Sequence, residues 1–103
     1  MATIRTKGFT AKDLFNAASA ISLKDCEGQI LKVTDVAIVE KTFEEQVITY
    51  LKSKDGKVFA SISPTVAEQA VSLAEMVEKT AVDVRVTSKI SNAGNTYIML
   101  ELA

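Results

Sequence analysis

Tyr50, Lys52, Lys54, Lys57 and Phe59 set two aromatic rings among three ammonium groups in one short stretch. Side chains alternate along a strand, so residues of equal parity share a face. Asp55-Gly56 is a strong signal for a two-residue hairpin, and closing the chain there puts Lys54 opposite Lys57 and Lys52 opposite Phe59. Tyr50 then faces Ser61 and Leu51 faces Ala60, so rings and cations gather on one side of the pair. Flat π surfaces stack on planar groups and ammonium groups neutralise anions. The chemistry on offer is therefore capture of a ligand that is both planar and polyanionic.

Catalytic chemistry is poorly represented. The chain has no histidine, no Gly-rich phosphate loop and no GxSxG elbow, so a group titrating near neutrality is missing. Glu44 and Glu45 are adjacent before a strand and point apart, and Glu75 and Glu78 fall on the outer side of a helix. The single Cys26 cannot form an internal disulfide, and flanking Asp25 and Glu27 disfavour its thiolate. Without histidine or a second cysteine, a structural zinc site is excluded. The residues point to no enzyme, no metal and no cofactor.

The elements that position these residues follow from periodicity. Thr10 can cap a first helix in which Leu14, Phe15, Ala18 and Ile21 recur at helical spacing. Gly28 punctuates, and Gln29 to Lys41 reads as a long β-branched strand with a bulge near Asp35. The hairpin follows. Ser63 with Pro64 at the first helical position, or Thr65 with Glu68 as a capping box, opens a second helix buried along Val66, Ala70, Leu73, Ala74 and Val77. Two more strands alternate Val82, Val84 and Val86 against Asp83, Arg85 and Thr87, then Ile98, Leu100 and Leu102 against Tyr97, Met99 and Glu101.

Three strands, a helix and two strands is the connectivity of a five-stranded OB-fold barrel, with the helix between the third and fourth strands. An open α+β sheet shares that order. The expectation is a mainly β protein with two helices, residues 1–103 forming one OB-fold domain and residues 1–28 an N-terminal helical extension. A chain of 103 residues with 48% hydrophobic content suits one such domain. It carries no apolar run near 20 residues and no apolar block behind its first basic residues, so neither a membrane anchor nor a secretory signal is expected, and the location is cytoplasmic. A net charge of −1 excludes nucleic-acid binding by bulk basicity and leaves it to a local surface.

That surface extends beyond the hairpin. Lys41 and Phe43 lie in the connection leading into it, and Tyr97 takes the non-core parity of the last strand, with Arg85 and Lys89 on its neighbour. Rings interleaved with cations are what a sequence-tolerant reader of single-stranded nucleic acid needs. The competing arrangement covers Tyr50 and Phe59 with the N-terminal helix, whose Leu14, Phe15 and Ile21 also need a partner. In that case the chain is a non-catalytic oligomerising or protein-binding α+β module.

The stretch from Glu44 to Val77, "EEQVITYLKSKDGKVFASISPTVAEQAVSLAEMV", followed by "VDVRV" and "NAGNTYIMLEL", resembles the single-stranded-DNA-binding proteins of small tailed bacteriophages with protein-primed replication. The most specific part is "DGKVFASIS" leading into "TVAE". The resemblance implies an OB fold that coats single strands in phage DNA replication without sequence preference, by aromatic stacking, with no catalysis or metal. It puts the third-strand aromatic at Phe59, a second at Tyr50, and a last-strand aromatic at Tyr97. The implied partner is single-stranded DNA, in the host cytoplasm. Other replication proteins are a further expected partner, and a second copy through the N-terminal helix is expected under the competing oligomerising arrangement.

Overall fold

A computed structural model of the protein describes residues 2–16, 19–41 and 46–103. In chain order the elements are β1 (Ala2–Arg5), α1 (Ala11–Phe15), β2 (Ile21–Ser22), β3 (Ile30–Lys41), β4 (Gln46–Ser53), β5 (Val58–Ser61), α2 (Pro64–Val77), β6 (Val82–Ile90) and β7 (Thr96–Leu102). The described residues are mainly β, with two α-helices and a curled half-barrel sheet in which six strands follow the order β2-β5-β4-β3-β6-β7. β1 lies off that path and pairs with β3.

The long β-branched strand β3 is the hub. One edge pairs with β4 from Val33 to Lys41; the other pairs with β6 over Ile30–Val33 and with β1 at Ala37–Val39. The bulge expected near Asp35 is present as a register shift between Val33 and Asp35. Thr6 holds it: its hydroxyl donates to Asp35 at 2.8 Å and accepts from the Val36 amide at 3.1 Å.

α2 matches its sequence signals. The Ser63 hydroxyl accepts from the Val66 amide at 3.4 Å, Pro64 takes the first turn, and Val66, Ala70, Leu73, Ala74 and Val77 are all buried. They form the main core with Leu31, Val33, Leu51, Val84 and Val86. Inside it lies the Thr49 hydroxyl, buried without a hydrogen-bond partner. Burying an unpaired hydroxyl costs stability that an apolar group of the same shape does not. Thr49→Val is therefore expected to stabilise the fold by about 1 kcal/mol, read as a higher urea midpoint at unchanged slope.

Three expectations are corrected. The first helix ends at Phe15, and Ile21 instead opens β2, pairing in parallel with Phe59; Ala18 lies outside the described residues. The first 28 residues supply two strands as well as a helix, and Leu23 and Cys26 of the 3-10 turn Leu23–Cys26 enter the main core. Among the described residues there are seven strands where five were expected, and no β5–β7 ladder closes a barrel. Side chains at the start of α2 take that place. Ser63 Oγ donates to the Ile98 carbonyl at 2.7 Å, and the Gln69 amide both donates to the Leu100 carbonyl at 2.6 Å and accepts from its N–H at 2.8 Å. Three outward backbone groups of β7 are thereby satisfied without a partner strand.

Candidate nucleic-acid interface

The β4–β5 hairpin closes through three residues. Ser53 N–H donates to the Lys57 carbonyl at 2.9 Å and Gly56 N–H to the Ser53 carbonyl at 3.0 Å, with Gly56 at φ +89°. That left-handed glycine is what the three-residue loop requires. The Ser53 hydroxyl and then the Lys57 amide hydrogen-bond the Asp55 carboxylate, and they hold it below the usual carboxylate range. The register becomes Leu51 opposite Phe59 and Tyr50 opposite Ala60. It differs by one residue from the two-residue expectation, and a slip of one residue exchanges the faces of a strand.

Phe59 therefore points into the main core and is 5% exposed, while Val58 and Ala60 face outward. The outward position expected for Phe59 is corrected: its ring lies on the core side of β5. Tyr50 does lie on the outer side but is only 9% exposed. Phe9, in the turn between β1 and α1, packs on it with ring centroids 6.1 Å apart, over a second apolar cluster that includes Ala37, Val58 and Ala60. Burial pushes the Tyr50 phenol up. Phe9 supplies cover that was foreseen from the N-terminal helix, Phe15 is 88% exposed, and the side chain of Leu14 lies outside what the structure describes.

Lys52 is also committed within the chain. Its ammonium lies 3.0 Å from Asp13 and donates to the Gly8 carbonyl at 3.2 Å, strapping the N-terminal segment over the sheet. Asp13 completes a reciprocal cap: the Thr10 amide donates to it at 2.9 Å, and the Thr10 hydroxyl accepts from the Asp13 amide at 3.2 Å. The Thr10 amide first and Lys52 next hold Asp13 below the usual carboxylate range. A depressed folded value contributes stability above the unfolded pKa, near pH 4, and loses it as pH falls through the folded value. The urea midpoint of the protein is expected to exceed that of Asp13→Asn at about pH 6, the gap narrowing below about pH 4. A gap constant down to about pH 2.5 would remove the carboxylate from the strap.

The open surface lies on the other half of the sheet. Lys89 and Tyr97 stand directly opposite one another on β6 and β7, Thr87 pairs with Met99, and Arg85 stands between Glu101 and Ile30 of β3. Arg85 and Lys89 are exposed and Tyr97 is half-buried. Beside them a groove of about 470 Å³ runs between β3 and the hairpin turn, with Ile30, Lys32, Lys54, Lys57 and Phe59 in its lining. Lys32 was not singled out from the sequence, although its alternation with Leu31 and Val33 carried the signal. Its pair with Asp83 at 3.7 Å and that of Lys57 with Asp55 at 3.8 Å are long and exposed, and such pairs hold a lysine weakly. Phe43, Glu44 and Glu45 lie outside the described residues, as does the side chain of Lys41 at the end of β3.

The family model described as phage single-stranded DNA-binding protein matches residues 1–103. The chain belongs to that family. It is also 30% identical over 95 residues to the single-stranded DNA-binding protein of Bacillus phage B103, an alignment covering 82% of this chain and 78% of the relative. No solved structure matches. In this phage single-stranded DNA-binding family member the sequence-selected residues divide by position: Phe59, Tyr50 and Lys52 are held inside or beneath the fold, and Lys54, Lys57, Arg85, Lys89 and Tyr97 line its open side. Cys26 stays apart from both, buried, its thiol pushed up by that burial first and by Asp25 second. No helix among the described residues is long and apolar enough to cross a membrane.

Proposed function

We propose that the protein binds single-stranded DNA without sequence preference during phage replication in the host cytoplasm, as a non-catalytic, OB-like module spanning residues 1–103. Tyr97 stacks a base, and Lys89, Arg85, Lys32, Lys54 and Lys57 neutralise phosphates along a line from the β6–β7 hairpin to the β4–β5 turn. Lys41, the last residue of β3, and Phe43, which follows it in sequence, are its outer candidates. Two features support the OB-like reading: β3 pairs with both β4 and β6, and α2 stands between β5 and β6. Tyr50, Lys52 and Phe59 act as the rigid support beneath this line. Other replication proteins are further partners under the same reading.

The observation that carries it is Tyr97 set opposite Lys89 on an open face, in a chain of this family. Stacking on an accessible ring and phosphate neutralisation beside it are the two elements of sequence-tolerant single-strand binding. The absence of tryptophan makes the test direct, because Tyr50 and Tyr97 are the only tyrosines. In Tyr50→Phe, emission reports Tyr97 alone and is expected to be quenched on titration with oligo(dT). In Tyr97→Phe, the sealed Tyr50 is expected to change little. Quenching of Tyr50 with Tyr97 silent would reverse the assignment and move the site to the strapped face.

A further inference from the structure

Next to the polar tip of the β6–β7 hairpin stands one exposed apolar side chain, a small knob. Beyond Val86, β6 forms ladder pairs with β7 alone, and at its end Ile90 is 74% exposed. At the other end of the same hairpin, Leu73 and Met76 of α2 meet Val84, Leu100 and Leu102 around an apolar groove of about 210 Å³. Six residues separate Val84 from Ile90, about 20 Å of strand, so no copy can fill its own groove. The charges complement one another. Lys89 is the one charged residue from Ser88 to Thr96, whereas α2 carries Glu68 and Glu75, both exposed, and no lysine or arginine. On a helix those two glutamates flank Ser72, which also lines the groove.

We propose that this groove receives the Lys89–Ile90 tip of a second copy of the chain, in a head-to-tail contact. Ile90 enters between Leu73, Met76 and Leu102, and Lys89 meets the glutamates of α2. A contact between two different patches repeats without closing and builds an open row of copies. Successive hairpins then lie end to end, so that Arg85, Lys89 and Tyr97 recur along one line. That last consequence rests on the proposed DNA-binding function; the contact itself does not.

Ile90→Asp removes the knob and Ser72→Arg obstructs the groove, both at exposed positions outside the proposed DNA contacts. In sedimentation velocity without DNA, the unmodified chain is expected to form a concentration-dependent series. Each variant alone stays monomeric, and an equimolar mixture gives a two-copy species and nothing larger, because one knob and one groove survive. On long poly(dT), the unmodified chain is expected to bind each site about tenfold tighter than on an oligo(dT) holding one copy, and both variants bring that ratio to one. A monomeric mixture, an unmodified chain that is monomeric throughout with a ratio of one, or dispersal by Phe15→Ala in place of these variants would overturn the contact. The series persisting in a chain that binds no oligo(dT) would support the contact and refute the function.

Discussion

Phe59→Ala is expected to lower the unfolding free energy by about 3–5 kcal/mol, while the molecules that remain folded bind oligo(dT) within a few-fold of the original affinity. The ring is 5% exposed, opposite Leu51 and within the cluster formed by Val33, Val66 and Leu73, so truncation leaves a cavity between the sheet and α2. Domains of this size have total stabilities of about 5–15 kcal/mol, which makes the loss a large fraction of the whole. Urea unfolding checks the first half, and titration well below the unfolding range checks the second. The opposite outcome, near-normal stability with affinity lowered about 5- to 150-fold, would mean that the ring faces the ligand and that the two-residue register is the right one.

That contrast explains where the sequence was legible. α2 was read correctly in every buried position, because a helix with one covered face writes its stripe at a period that nothing else imitates, and of the two caps its sequence offered the structure forms the one at Ser63. The bulge in β3 was visible too, as a carboxylate interrupting a β-branched run. The hairpin failed for a specific reason. Val58 and Ala60 pack against the cluster of Phe9, Ala37 and Tyr50 while Phe59 lies in the main core, so both faces of β5 are apolar and parity cannot decide between them. The turn alone fixed the register, and Asp55-Gly56 suits a three-residue loop with glycine last as well as a two-residue one.

The N-terminal segment misled for a related reason. Its helical spacing ran from Leu14 to Ile21, but Ile21 is claimed by a parallel pairing with Phe59 that is remote in sequence and leaves no local mark. The aromatic best placed to cover the sheet, Phe9, sits in a turn where no periodicity points to it. Lys52 looked like one more solvated lysine, and only the arrival of Asp13 and the Gly8 carbonyl from the other end of the chain gives it a structural task. By contrast Arg85, Lys89 and Tyr97 were read on the correct face. Only the alternate residues of β6 and β7 meet the core, so the pattern there has a single solution.

If the open face carries the DNA, Tyr97→Ala is expected to cost about 1–3 kcal/mol of binding, a 5- to 150-fold loss, and Tyr97→Phe to recover most of it. Among the described aromatics, Phe9, Tyr50 and Phe59 are buried, which leaves Phe15 and Tyr97 accessible, and Tyr97 stands directly opposite a lysine. Ring loss and charge loss separate by salt. Each phosphate contact contributes about 0.7 to the slope of log affinity against log salt on single strands, so replacing Lys54, Arg85 and Lys89 by glutamine should flatten that slope by about 2, whereas Tyr97→Ala should lower affinity at nearly constant slope. The three cations are exposed, so the triple variant is expected to keep its unfolding midpoint. An unchanged slope with unchanged affinity would take the DNA off this face and leave Lys41 at the end of β3 and the following Phe43 as the place to look, because they alone among the proposed contacts supply a second ring close in sequence to a cation.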